Sequence, residues 1–507
     1  MFCPTKVFKV LRVRIVFVHT PMATFHVPAR KDFWRSFDRR YHLTHPGLRH
    51  MRPGRVLWEL PHWITWLGGV LTNAGYQSLE VVDLYSSSTS APSIEGIDSG
   101  VVQRALHRAP ADVYLFSPMI PNLHFSIQIA DLVKELYPDS VTVFGGVTAT
   151  PLHKEIAAHR SVDFVVRDRG ERALPTLIRA LHNRTDISQV KNLSFRKENG
   201  EVVTNPELYP WLLVNDIPFP KIDLFPADVG QDIRYLRQVY ALGCPFKCSF
   251  CTIPTIGRKP NYFSIDRVIE EIYAYRSHYG AHHNIYFGDE TFTVDRTRTM
   301  ELCDALRADG TIKYDCQTRP NLHTDQRMLR SLSESGCLWI EFGIEAINQN
   351  TLDIHKQRME LDSLREVLMR VRDAGIAACS FMVNGFPNQT LDDMKYSIDT
   401  TCSLISDNLL AASYLFGLVP YPGSDLYEKP NQFGMNILHH KYELYHEDML
   451  PVYATAHATS EQIYQVFLTG IQNLAQAMAG RSNLSAPLPP SEEDENMYGL
   501  FWNEPHI

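Results

Sequence analysis

At 507 residues the chain is long for one core, and a soft prior of roughly 150 residues per domain points to about three. Hydrophobic residues at 44% and charged residues at 21% place it among soluble globular proteins. A net charge of −8 excludes a basic nucleic-acid surface, and no apolar run approaches the ~18–20 residues of a membrane span. From Met1 to His19, Lys6, Lys9, Arg12 and Arg14 interrupt the apolar residues, so the unbroken core of a signal peptide is missing. Nine cysteines without a pairing framework indicate a reducing compartment. A cytoplasmic protein is expected.

In chain order, short apolar β-branched runs at 13–19, 79–84, 112–117, 141–144 and 163–166 read as buried parallel strands. Helical patterns at 60–74, 123–136 and 171–182 lie between them, stopped in the first two cases by Gly75 and Pro138. This alternation predicts a doubly wound parallel sheet of the flavodoxin kind, with ligands at the carboxyl ends of its strands. The loops there hold His19-Thr20-Pro21, Ser117-Pro118, Gly145-Gly146 and Arg169-Gly170-Glu171. Residues 193–203 read as a hairpin turning at Asn199-Gly200, and a proline-rich stretch over 205–226 reads as a connector.

From residue 240 the rhythm lengthens. Strands are predicted at 240–242, 284–287, 314–318, 338–342, 378–383 and 411–418, with helices at 265–279, 297–308, 326–335, 363–374 and 391–405. Six such units are too few for an eight-stranded barrel and predict a partial one, with functional loops at the carboxyl ends of its strands. A helix over 460–479 and a polar, acidic tail from Arg481 complete the chain, the tail being expected at the surface or disordered. The domains expected are 12–185, a hairpin and linker over 186–232, a barrel over 233–425 and a helical region with the tail over 426–507.

The strongest chemical signal is Cys244, Cys248 and Cys251 in the run Leu242-Gly-Cys-Pro-Phe-Lys-Cys-Ser-Phe-Cys. Three close thiolates suit an iron–sulfur cluster, and a four-iron cluster held by three cysteines keeps one iron open to a small chelating molecule. A structural zinc site would want a fourth Cys or His nearby, and the next cysteine is Cys303. The other cysteines form no second triad and read as buried hydrophobes; one cluster is therefore the count.

The run resembles the signature of the radical SAM superfamily, whose open iron binds S-adenosylmethionine, whose reduced cluster releases a 5′-deoxyadenosyl radical, and whose aromatic residue at the position of Phe250 lies against adenine. Further segments are similar to that superfamily's. Gly288-Asp289-Glu290-Thr291 resembles the loop that binds the cofactor's amino group, and Gly343-Ile-Glu345 the segment near the ribose. Asn384-Gly-Phe-Pro387 resembles the adenine contact, Tyr421-Pro-Gly423 the turn found after the sixth strand, and Gln317 and Arg319 are placed to reach the carboxylate. The cofactor contacts so implied are Phe250, Gly288, Asp289, Glu290, Gln317, Glu345 and Asn384.

A flavodoxin-like sheet ahead of such a barrel resembles the cobalamin-binding radical SAM proteins, and most of all their methyltransferases. Gly145-Gly146 and Gly170-Glu171 resemble the turns of their cobalamin domain, and with Thr20 and Ser117 they are the implied cobalamin contacts. The Asp-x-His-x-x-Gly motif whose histidine ligates cobalt is missing; after Val81-Val-Asp-Leu84 the chain reads Tyr-Ser-Ser-Ser-Thr-Ser. The resemblance therefore implies a lower cobalt face that is unligated, water-occupied or covered by a side chain. Trp58, Trp63, Trp66 and Tyr85 are expected to serve core packing, with a pocket role as the alternative. It also implies one [4Fe-4S] cluster, S-adenosylmethionine, cobalamin and an external electron donor of flavodoxin or ferredoxin type. The reaction implied is methyl transfer, by way of methylcobalamin, to an unactivated carbon of a small molecule, in antibiotic or other secondary-metabolite biosynthesis. The alternatives are a cobalamin-binding cyclase or rearrangement enzyme, and a non-catalytic iron–sulfur module. No residue of the chain is singled out as directly catalytic.

Overall fold

The computed structural model describes residues 13–21, 27–45, 59–85, 97–253, 257, 259–356 and 358–480. The tail from Arg481, Trp58 and the serine-rich stretch 86–90 lie outside them.

Strands β1 (Arg14–His19), β2 (Ser78–Asp83), β3 (Val113–Phe116), β4 (Val141–Phe144) and β5 (Phe164–Val166) pair in parallel in the order 2-1-3-4-5. That is the flavodoxin-like order, and its switch point lies between β1 and β3. Every residue of β3, β4 and β5 is buried. Along β1, Ile15 and Phe17 face one apolar cluster while Val16 and Val18 face the other, as the strand period of two requires. The hairpin forms as β6 (Leu193–Arg196) and β7 (Val202–Thr204), which extend the sheet antiparallel from β5.

The second sheet opens on β8 (Leu236–Gln238). This corrects the expectation that residues 240–242 form its first strand. Ala241–Leu242 is instead β9, which pairs antiparallel with β10 (Asn261–Tyr262) and closes the base of the cysteine loop. Arg234 and Arg237 hide β8 in the sequence by giving it a polar look, yet both are paired. Arg234 lies 2.9 Å from Asp38, and Arg237 lies 2.9 Å from each oxygen of Glu59. Strands β11 (Ile285–Phe287), β12 (Tyr314–Thr318), β13 (Cys337–Glu345), β14 (Ala377–Asn384) and β15 (Ala412–Gly417) follow in sequential order, all parallel. Sequential parallel strands with same-handed crossovers put their helices on one face, so the sheet curls into a partial barrel.

The Pro28–Thr44 helix, absent from the predicted elements, crosses from the first sheet to the second. Phe37 packs on Trp339 and Tyr414, at 6.1 and 4.5 Å between ring centres. His45 Nε2 lies 2.8 Å from Asp315 Oδ1, and Tyr41 donates to the other oxygen. Arg40 Nε donates to Met478 O, at the end of the Ser460–Ala479 helix, at 2.7 Å. Buried Arg30, Asp38 and Arg40 break the apolar stripe that would otherwise reveal this helix. One apolar cluster runs continuously from one face of the first sheet into the barrel.

Candidate active site

The cysteine loop leaves β9 and is held at both ends. Asp289, in the turn after β11, is buried, and its carboxylate accepts the Tyr240 amide at 3.2 Å and the Ala241 amide. Burial pushes this carboxyl up to about 8, against the pull of those amides. Asp289 is thus committed to the chain ahead of the cysteines. Cys244 N donates to Gly257 O at 3.1 Å, and Cys251 N to Cys248 O at 3.1 Å. Between the latter two, Ser249 is gripped from three sides. Its amide donates to His355 O at 3.0 Å, its Oγ pairs with His355 Nδ1 at 2.7 Å, and its carbonyl accepts from Leu426 N at 2.9 Å.

His355 ends the Gln349–His355 helix. Its Nε2 lies 3.1 Å from Asn388 Oδ1 and its ring stacks on Phe386 at 4.9 Å. Burial pushes the imidazole down to about 4, so it is neutral at neutral pH. Phe386 meets Phe250 at 5.4 Å. The loop after β14 and the cysteine loop are therefore one packed unit, joined through a histidine that the motif reading did not include.

The three thiols are half-buried. Burial pushes Cys248 up, opposed by the Lys356 and Arg319 charges, and Cys251 up to about 12. Arg319 lies over the Phe246 ring at 3.9 Å. Among the described residues no three His, Cys, Asp or Glu side chains converge on one ion's coordination sphere. Three thiolates from one short loop, each able to take a different iron, are the donor set of a four-iron cluster. The donor set fits the cluster.

The other expected cofactor contacts ring the same end of the barrel. Glu345 has φ 71°, and its Oε1 lies 2.6 Å from Lys356 Nζ in a buried pair. A Cβ at Gly343 would sit 2.7 Å from that nitrogen and 2.8 Å from that oxygen, so a larger residue there would push the pair aside. Gln317 Nε2 donates to Asp289 O at 2.8 Å, and Gly288 O accepts from Arg237 at 3.2 Å. Asn384 donates to Ile463 O at 3.1 Å, while its buried Oδ1 has no partner among the described residues, an acceptor suited to a polar ligand. Side-chain oxygens on Glu290, Glu345 and Asn384 are acceptors of the kind that the amino and hydroxyl groups of S-adenosylmethionine need.

At the carboxyl end of the first sheet lies a cavity of about 280 Å³. Phe116, Ser117, Gly145, Gly146, Val166 and Gly170 line it from the strand ends. His62, Trp63 and Trp66 line it from the first turns of the His62–Asn73 helix, and Trp66 donates to Glu171, also in the lining, at 3.0 Å. Its opposite wall is the cysteine loop and the turn after β11: Leu242, Gly243, Ile253, Gly257 and Glu290. Gly146 has φ +91°, and a Cβ there would sit 2.4 Å from Ser117 Oγ. A glycine cradle roofed by indoles suits a broad, flat, largely apolar ligand and fits a corrin.

Thr20 is elsewhere: it is buried, with Oγ1 accepting from Ser126 at 2.9 Å, and it does not line the cavity. His62 is an addition, and Asp168, which opens the Asp168-Arg-Gly-Glu171 turn, also lines the cavity. Trp211, in the proline-rich linker, donates to Asp168 at 3.0 Å and lies under Arg169 at 4.6 Å, so the linker packs on two residues of the lining. Trp63 and Trp66 carried a signal in the sequence only as aromatics of this half.

The fold and site thus define a two-cofactor enzyme class, a glycine-cradled cleft facing a three-cysteine barrel loop. Comparison with known proteins agrees in both halves. Residues 59–178 match the B12 binding domain and residues 239–400 the radical SAM superfamily. An uncharacterized methyltransferase of Pyrococcus horikoshii is 26% identical over 372 residues, 71% of this chain and 78% of that protein. The anaerobic magnesium-protoporphyrin IX monomethyl ester cyclase of Rubrivivax gelatinosus is 23% identical over 389 residues, 73% of this chain and 66% of that protein. Among solved structures, the radical S-adenosylmethionine methyltransferase TsrM of Kitasatospora setae, with tryptophan and a cofactor analogue bound, matches at TM-score 0.60 and 14% identity, covering 85% of this chain and 77% of its own. The chain belongs to the cobalamin-binding radical SAM family, and its cofactors are a [4Fe-4S] cluster, S-adenosylmethionine and cobalamin. Among the described residues no helix is long and apolar enough to cross a membrane.

Proposed function

We propose that the enzyme transfers a methyl group from S-adenosylmethionine to an unactivated carbon of a small molecule, in antibiotic or other secondary-metabolite biosynthesis. The observation that carries the reading is the single cavity shared by Gly145-Gly146 and the wall of the cysteine loop. When bound, the cluster supplies reductive cleavage of S-adenosylmethionine and cobalamin supplies a carrier for the methyl group.

The chain's own part is to bind, orient and exclude water. Cys244, Cys248 and Cys251 hold the cluster, and Asp289 and His355 fix the loop that presents them. Phe250, Glu290, Gln317, Glu345 and Asn384 hold S-adenosylmethionine, with Glu345 oriented by Lys356. Ser117, Gly145, Gly146, Gly170 and Glu171 cradle the corrin. Trp63 and Trp66 keep bulk water out of the cavity. An external one-electron donor of flavodoxin or ferredoxin type completes the system, in the cytoplasm.

The second reading is ring closure without methyl transfer, favoured by the likeness to the cyclase of Rubrivivax gelatinosus. Loaded enzyme, a chemical reductant, S-adenosylmethionine labelled in its methyl group and a small-molecule extract of the producing cells separate the two. Methyl transfer puts the label into a new product. A substrate that is consumed while the label stays with the methionine species supports the cyclase instead.

A further inference from the structure

The cobalt-ligating histidine motif is missing from the sequence, yet the cavity contains an imidazole. His62 is the first residue of the His62–Asn73 helix. That helix starts at the carboxyl end of the first sheet, beside the β1/β3 switch point where such sheets bind their ligands. The ring is half-buried and lines the cavity together with Ser117, Gly145 and Gly146. Neither ring nitrogen has a hydrogen-bond partner among the described residues, while the His62 carbonyl is occupied by Thr65 Oγ1 at 3.1 Å. The ring leans on Trp66 at 5.0 Å and 50°, and Trp66 is itself pinned to Glu171 at 3.0 Å. An imidazole steadied by a fixed indole, with neither nitrogen engaged among the described residues, is poised to bind something in the cavity.

Charge favours the metal-binding form. Burial, reinforced by the nearby Arg237 charge, pushes the imidazole down to about 3, so the ring is neutral with a lone pair free at neutral pH. Arg237 is itself held by Glu59, three residues before His62, at 2.9 Å. The other histidine at this end of the sheet is spoken for: His19 pairs with Asp83 at 2.9 Å and stacks on Tyr85 at 5.0 Å. Neutral imidazole suits cobalt, and the other neutral side-chain nitrogens of the lining belong to the Trp63 and Trp66 indoles, whose N–H has no lone pair to give.

We infer that His62 supplies a nitrogen ligand to the cobalt of cobalamin in this cavity, in place of the missing motif histidine. The inference rests on the cobalamin reading of the cavity. It makes the lower face of the cofactor ligated, contrary to the unligated, water-occupied or merely covered face that the resemblance implied. It also gives His62 one role, as a ligand, and none in proton transfer.

The test is the electron paramagnetic resonance spectrum of the full chain loaded with cobalamin and reduced to the cobalt(II) state, prepared with ordinary and with heavy-nitrogen histidine. Ordinary protein is expected to show the triplet splitting of a nitrogen ligand. Heavy-nitrogen histidine should collapse it to a doublet, and His62→Phe should abolish it. A triplet indifferent to the label means the cofactor's own base is the ligand, and no splitting means no nitrogen ligand; either result overturns the inference while the cobalamin reading stands. Failure of wild-type protein to take up cobalamin overturns both. Should His62→Phe bind no cobalamin, the labelled wild-type spectrum still decides.

Discussion

At Gly146 and His355 single side chains decide whether a cofactor site forms. Alanine at Gly146 would have to accept a φ of +91° and place its Cβ 2.4 Å from Ser117 Oγ. The backbone term alone costs about 1–2 kcal/mol, and Ser117, which also lines the cavity, would have to move. Gly146→Ala is therefore expected to bind at least tenfold less cobalamin per chain while retaining its iron, as bound corrin absorbance and iron analysis will read. Phenylalanine at His355 keeps the stack on Phe386 but leaves buried Ser249 Oγ without its partner, a loss of about 1–3 kcal/mol. His355→Phe should lose iron faster than wild type under a chelator, with an unchanged far-ultraviolet circular dichroism spectrum. Equal iron retention would show that the histidine merely fills space. The residues of local motifs were readable because their spacing lies within one loop. His62 and His355 were not, because a histidine at a helix end looks like any capping or surface residue until the fold brings its partners to it. Asp289 was readable as a loop acid, but nothing in its sequence context says that its carboxylate binds amides 48 and 49 residues earlier.

Among the elements, the Pro28–Thr44 helix ties the two sheets together. It is the element that hydrophobic periodicity failed to find. Its core-facing side carries Arg30, Asp38 and Arg40, which are buried because Asp448, Arg234 and the Met478 carbonyl meet them. The same cause hid β8, whose Arg237 is paired with Glu59. Charges that a fold neutralises across long sequence separations look like surface in the sequence. The other parallel strands of both sheets were legible because their apolar runs need no distant partner. Removing one member of a buried pair costs about 3–5 kcal/mol. Asp38→Ala strips the closest carboxylate from Arg234, so its denaturant midpoint should fall by that much stability, whereas Asp32→Ala, in the exposed Asp32–Arg35 pair, should change it little.

For the molecule as a whole, the barrel interior holds a carboxyl group away from water. Glu341 accepts from Tyr286 at 2.8 Å and from Tyr414 at 3.4 Å, and burial pushes it up to about 8. Its pKa in the folded chain lies above the ordinary value, so the folded chain holds the proton more tightly than the unfolded one. Stability therefore falls as pH rises from the ordinary carboxyl range through about 8. Glu341→Gln, which mimics the protonated acid, should lose less of its melting temperature than wild type between about pH 6 and about pH 9; parallel curves would contradict this. The joining of the two halves is the claim on which function rests, since one cavity is walled by the corrin cradle and by the cysteine loop. It is tested most directly by iron and cobalt content in protein purified and reconstituted without oxygen. About four irons and one cobalt per chain are predicted. Zinc in place of iron, or iron without cobalt, would contradict it.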